Sequence, residues 1–209
     1  MTMASIDLPE PNPHGETSVE RAIATRASRR SFAADPITLE DAAQLLWAAQ
    51  GVTHVRDGVT LRTAPSAGAT FPLTVFLEVA PDGCEGIDPG LYRYEPAEHA
   101  LEPSLESSLH DDLTRAALQQ PVVEDAPATI VVAADDGRTI DQYPEHGKRY
   151  VRMEAGHVAQ NVHLTAEARA LNACPVGAFS DAELADVLSL PAALDPLYLL
   201  PVGNRPRET

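Results

Sequence analysis

The sequence predicts an α+β domain in which helices flank a mixed β-sheet, and three stretches carry that prediction. Ala128–Ala134 is a continuous apolar run of strand length, the pattern of a strand buried on both faces. Leu73–Val79 and Gly90–Tyr94 read as two further strands, rich in β-branched and aromatic residues. From about Arg149 to Leu171, Val151, Ala155, Val158, Ala159, Val162 and Ala166 recur at helical spacing. Small residues on several sides suit a long helix with a central position. At 209 residues the chain fits one domain with a substantial core.

Residues 6–16 carry Pro9, Pro11 and Pro13 and exclude a regular helix or central strand, so residues 1–17 form an extended arm and 18–209 the domain. Thr17-Ser18-Val19-Glu20 has the capping-box pattern, with Thr17 as cap, opening a helix to about Ala27. Thr38-Leu39-Glu40-Asp41 repeats it more weakly. The helix it opens places Leu39, Ala42, Ala43, Leu46 and Ala49 on one face and stops at Gly51 in a left-handed conformation. His54–Leu61 has no clear period, and Arg62–Gly68 is a loop of small residues that lets another group approach the backbone. Ser104 to about Gln119 reads as a polar helix with Leu105, Leu109, Leu113 and Leu118 inward. Ala173–Ala178 is a short strand, Ser180 caps a helix through Leu190, and Leu197–Val202 is the closing strand.

The formal charge is −16, and Lys148 is the only lysine, so nearly all positive charge is arginine. Such a surface fits a halophilic source, where carboxylates hold water against competing ions and salt screens their repulsion; codon bias in a GC-rich genome is the alternative. The acidity excludes nucleic acid and anionic membranes as principal partners, since both need a basic footprint. Cys84 and Cys174 stand far apart, with no disulfide framework or zinc spacing. No basic, apolar leader and no membrane-length apolar run appears, so a cytoplasmic setting is expected.

Four clusters bear on chemistry. Arg26-Ala27-Ser28-Arg29-Arg30-Ser31-Phe32 gathers guanidinium forks and hydroxyls where the first helix ends. A phosphate monoester asks for that combination, although cations there also offset the helix dipole. Pro65-Ser66-Ala67-Gly68 leads directly towards a strand, and Pro175-Val176-Gly177-Ala178-Phe179 could bring backbone N–H groups against a planar ligand. Arg205 follows the final strand. His157, Gln160 and Asn161 lie on the long helix, where polar side chains also satisfy buried backbone groups; His157 and His163 lack a metal-binding spacing, so no metal is expected.

Together, in order, these motifs resemble the FMN-dependent nitroreductase superfamily, and within it the SagB-type dehydrogenase branch, from Leu8-Pro9 to Pro206. The opening Arg-Arg-Ser-x-Arg-x-Phe pattern stands as Arg26 to Phe32, with Ala27 in place of the second arginine. Pro65–Pro72 and Glu154–Asn161 match the branch intact, and Gly177-Ala178-Phe179 and Pro201-Val202-Gly203 with Arg205 also fall into place. The resemblance implies a nitroreductase-like fold, with the long helix at a homodimer interface and FMN held by both subunits. It implies that Arg26, Ser28 and Arg205 hold the FMN phosphate, one donor short at Ala27, with Arg30 near the pyrimidine edge. Pro65, Ser66, Ala67 and Gly68 would line the ribityl chain and ring, and the Gly177 and Ala178 backbone would face N5. The implied activity is oxidoreduction: NAD(P)H gives hydride to flavin N5, which passes it to a small acceptor such as a nitroaromatic or quinone. Some SagB-type members instead oxidise azolines in modified peptides to azoles and resemble one another in a Lys-Tyr pair; here Gln142-Tyr143 stands there, so the general reductase is the favoured expectation. A flavin-binding redox sensor without turnover is a further alternative.

Overall fold

The computed structural model describes residues 4–56 and 58–207; the start of the arm, Asp57 in the unperiodic stretch, and residues 208–209 lie outside them. The strands are β1 (Ile6–Asp7), β2 (Val52–Arg56), β3 (Val59–Arg62), β4 (Leu73–Val79), β5 (Gly90–Glu95), β6 (Ala100–Leu105), β7 (Ala128–Ala134), β8 (Leu171–Ala173) and β9 (Asp195–Asn204). The helices are α1 (Val19–Thr25), α2 (Leu39–Gln50), α3 (His110–Ala116), α4 (Pro121–Glu124), α5 (Asp136–Ile140), α6 (Gly147–Ala168) and α7 (Asp181–Val187).

Seven strands form one sheet in the order β1-β6-β5-β4-β7-β9-β8, while β2 and β3 pair separately. The ladders between these strands are antiparallel, with a parallel bridge between Ile37 and Cys84. The central strands are β4 and β7, whose continuous apolar character follows from burial on both faces. Alternation then divides their side chains between two cores. Val75, Leu77, Val79, Ile130 and Val132 face α2 and α6, whereas Phe76, Val131 and Ala133 face α3, α4 and α7. The periodic residues of α6, from Val151 to Ala166, are buried as their spacing requires.

Several expectations are corrected. The cap of α1 is Ser18, whose hydroxyl accepts from the Arg21 amide at 3.2 Å, while Thr17 reaches the Ala168 carbonyl. Thr38 caps α2 as expected, but Gly51 ends that helix at φ −61°, not left-handed. Its lack of a side chain answers a steric demand instead: a Cβ there would collide with the Trp47 ring. The unperiodic stretch after Gly51 is a hairpin, β2–β3, exposed along most of its length and so free of any need to alternate. The expected helix from Ser104 is shortened to α3, because β6 runs on to Leu105 and α3 begins only at His110 and ends at Ala116; Leu109 and Leu113 are buried as expected, but Leu118 is exposed rather than inward. The short helices α4 and α5 had no separate sequence signal, and the expected strand Ala173–Ala178 is reduced to β8 and an isolated bridge from Val176 to Leu199. Among the described residues no helix is long and apolar enough to cross a membrane.

Candidate functional site

The site is organised by α6, 22 residues and so about 33 Å long. Opposite its buried stripe it exposes Arg152, Met153, Gly156, His157 and Gln160. The residues singled out from the sequence gather on the two shoulders of this exposed face, because successive helical positions advance by about 100°.

On one shoulder stand His163 and Glu167, one turn apart. Arg26 closes α1 and donates from Nη1 to His163 Nδ1 at 3.4 Å, while His163 Nε2 donates to the Ala173 carbonyl at 2.9 Å. A ring accepting at one nitrogen and donating at the other is neutral. Burial, then the charges of Arg26 and Arg29, hold its pKa below the usual histidine value. Glu167 binds Arg29 at 2.5 Å and Arg205 at 2.9 Å. Burial raises its carboxyl pKa, but hydrogen bonds from Thr25 and Arg29 and the charges of Arg205 and Arg29 outweigh it, so the pKa lies below the ordinary glutamate value. The loop is tied to β8 by the Arg29 amide on the Ala173 carbonyl and by Asn172 Nδ2 on the Ser31 carbonyl. Three guanidiniums against one carboxylate leave two positive charges, the complement of a phosphate monoester dianion.

The same side of the chain carries Arg30 and the glycine segment. Ser28 and Arg30 are exposed, and Arg30 Nη1 donates to the Ser28 carbonyl at 3.5 Å. The Arg30 charge is felt at Cys174, where it opposes the upward push of burial on the thiol. Gly177 and Ala178 are exposed; a cavity of about 520 Å³ bounded by Arg152, Ala155, Phe179 and Tyr198 opens at Gly177. Gln120 Nε2 holds the Ala178 carbonyl at 2.7 Å, whereas the Gly177 and Ala178 amides meet no acceptor among the described residues.

The other shoulder holds Pro65, Ser66 and Ala67, which with Tyr150, Met153, Glu154 and His157 surround a hollow of about 260 Å³. Ser66 Oγ accepts from the Phe71 amide at 3.0 Å, closing a loop in which Gly68, Ala69 and Phe71 all have positive φ. Left-handed backbone at two non-glycine residues is costly and tends to mark functional loops. A Cβ on Gly68 would also meet the ends of Gln142 and Tyr143, so that pair lies against the loop.

The fold therefore brings Arg26 and Arg205 together, with Arg30, Gly177 and Ala178 towards the same side of α6. Pro65–Gly68 lie across its exposed face. Arg29, part of the predicted arginine cluster but given no role of its own, completes the ledge together with His163, Glu167 and Asn172, which escape a reading by motif. Two polar residues four apart on an otherwise apolar helical flank are the signal that could have found His163 and Glu167. Asn161 is structural: its amide donates to the carbonyls of Ala48 and Thr63 at 3.1 and 3.3 Å. Glu154 is buried beside Gln50.

A nitroreductase family model matches residues 23–204. A nitroreductase relative from Methanocaldococcus jannaschii is 38% identical over 190 residues, covering 91% of this chain and 92% of its own. Among solved structures, a nitroreductase-class protein from Ralstonia eutropha superposes with a TM-score of 0.82 at 29% identity, covering 98% of this chain and 90% of that one. The NADPH:FMN oxidoreductase of Vibrio harveyi, solved with NAD+, shares the fold with a TM-score of 0.63 at 20% identity, over 90% of this chain and 72% of that one. The match across most of the chain, together with the relative at 38% identity, shows that this protein belongs to the nitroreductase family, a family of oxidoreductases.

Proposed function

We propose that the chain is an FMN-dependent oxidoreductase, active as a homodimer, that moves a hydride from NAD(P)H to a small oxidised acceptor such as a quinone or nitroaromatic. The supporting observation is the division of the candidate residues between two shoulders of α6, with an exposed stripe between them. The arginine ledge of one subunit and the Pro65–Gly68 loop of a second would then enclose one cofactor across the interface. Gly156 fits this arrangement: it is exposed in mid-helix, where glycine is disfavoured by about 1 kcal/mol, and among the described residues no atom beyond its own turn of helix lies within 4 Å of where a Cβ would be.

FMN, when bound, supplies hydride transfer at N5. The roles left to the protein are binding, orientation and charge. Arg26, Ser28 and Arg205, joined by Arg29, hold the phosphate, and Glu167 and His163 fix the directions of the guanidiniums. Arg29 offsets the donor missing at Ala27. Arg30 would offer positive charge to the ring when it is reduced. The amides at Gly177 and Ala178, which meet no acceptor among the described residues, would be donors to the ring edge, and Pro65–Gly68 would cover the cofactor. The two charges left on the ledge match the phosphate, which is the fit that FMN requires.

The test is a flavin titration followed by anaerobic reduction. The purified protein should take up FMN and turn yellow, bleach with NADH or NADPH, and recover its colour with menadione. Arg205→Gln should weaken FMN about tenfold to a hundredfold, the loss of a charge-assisted hydrogen bond. A colourless protein that takes up no FMN rules the proposal out, and FMN binding without bleaching leaves a flavin-binding protein with no turnover.

A further inference from the structure

A second concentration of arginine lies away from the α6 ledge. Arg62 at the end of β3, Arg93 on β5 and Arg138 on α5 line a cavity of about 130 Å³ together with Gln50, Thr74 and Glu95. A larger cavity of about 490 Å³ shares Thr74, Arg93 and Arg138 as a common wall. Beyond that wall its character changes to Phe76, Leu105, Leu188, Leu190 and Leu194. Phe76 and Leu188 belong to the core on the sheet face opposite α6, so the apolar cavity is a different place from the candidate flavin site, whereas Gln50 and Arg62 reach the smaller cavity from beside Glu154.

Three guanidiniums converging in a chain of net charge −16 call for a specific counter-charge, and the protein supplies it only in part. Glu95 pairs with Arg93 Nε at 2.7 Å, and Asp135 lies 3.6 Å from Arg138 Nε. Both carboxylates sit at Nε, which orients each guanidinium and leaves Nη hydrogens of Arg93 without an acceptor among the described residues. Arg138 Nη1 donates to the Phe71 carbonyl at 3.1 Å. Arg62 donates to Gln50 Oε1 at 2.9 Å and stacks 4.4 Å from the Phe71 ring centre, but its Nε is shielded from water and meets no acceptor among the described residues. Burial lowers the Arg62 pKa, the Glu154 carboxylate opposes that, and the Arg138 charge adds to it more weakly, so an anion beside these arginines would ease both the burial and the repulsion.

We propose that the two cavities form one binding site for an apolar monocarboxylate. The carboxylate lies between Arg93 and Arg138, with Arg62 behind it. The hydrocarbon body lies among Phe76, Leu105, Leu188, Leu190 and Leu194. Glu95 and Asp135 sit at the Nε of Arg93 and Arg138 and Glu154 faces Arg62, so the site has little positive charge to spare and takes a monoanion in preference to a phosphate dianion. The apolar wall selects a ligand with a hydrocarbon tail over acetate.

The experiment is calorimetric titration of the full chain with acetate, butanoate, hexanoate and inorganic phosphate, each against sodium chloride at matched ionic strength. The chloride control removes the general effect of salt on an acidic protein. Hexanoate should bind saturably, one per chain, and each methylene from butanoate to hexanoate should tighten binding about fourfold. Arg93→Gln and Arg138→Gln should each weaken hexanoate at least tenfold, and Arg205→Gln should leave it unchanged. The Arg93 and Arg138 side chains are 52% and 56% exposed, so both variants should fold, and the chain-length series in the unaltered protein tests the site without them. Binding no better than chloride, tighter binding of phosphate than of hexanoate, or loss of hexanoate binding only in Arg205→Gln each overturns the proposal.

Discussion

The pair formed by Glu78 and His110 gives the sharpest test of how α3 and α4 are held to the sheet. Glu78 is fully buried on β4, opposite Thr129 of β7, and its Oε1 lies 3.4 Å from His110 Nδ1. His110 Nε2 donates to the Glu124 carbonyl at 2.7 Å, so a doubly protonated ring has an acceptor at one nitrogen and the Glu78 carboxylate beside the other. The neighbouring Glu78 carboxylate, opposed by burial, raises the His110 pKa from 6.5 to about 9. The native state therefore binds more protons than the unfolded chain between those values, and stability falls as pH rises through the interval. The His110 contribution is complete below about pH 6.5 and lost above about pH 9. At about 1.36 kcal/mol per pH unit the ceiling is about 3 kcal/mol. Burial of Glu78 opposes its ionisation and offsets part of the attraction, so a loss of roughly 1–3 kcal/mol is expected. Urea denaturation at pH 6, 7.5 and 9 should show this slope in the unaltered protein. The double variant Glu78→Gln/His110→Gln should lack it. Both proteins contain the two buried cysteines, so thiol ionisation in the unfolded chain cancels in the comparison. Equal slopes in the two proteins would refute the charged pair.

Two further outcomes follow from single glycines. Gly156→Leu improves the intrinsic helix propensity of an exposed position by roughly 0.8 kcal/mol, yet it should dissociate or weaken the proposed dimer in sedimentation equilibrium; an undisturbed dimer would remove α6 from the interface. Gly51→Ala fits the local backbone but drives a methyl group into Trp47, and should cost about 1–3 kcal/mol by urea denaturation, so an unchanged midpoint would contradict that packing.

Legibility varied with the kind of burial each element experiences. The bounds of β4 and β7 match the sequence reading because burial on both faces writes a continuous apolar run. The core of α6 is equally plain from its one-sided period. By contrast, β6 contains Glu102, Pro103 and Ser104, and its place beside the short strand β1 tolerates them, so local composition concealed a strand. The β2–β3 hairpin left no pattern because neither strand buries a full face. Glu78 illustrates the same limit, since nothing nearby in sequence announces that a strand carboxylate will meet His110 from a helix 32 residues on.

The sequence by itself determined the fold class, the central strands, the long helix and the family, because burial periodicity and motif order are properties of the linear chain. Only the tertiary structure decided which charges meet. Arg29 and Arg205 are far apart in sequence yet share Glu167, and Arg62, Arg93 and Arg138 come from three separate elements. Such pairings depend on sheet order and on the rotation of α6 about its axis. Both are fixed by packing of the whole core, not by any local stretch of residues.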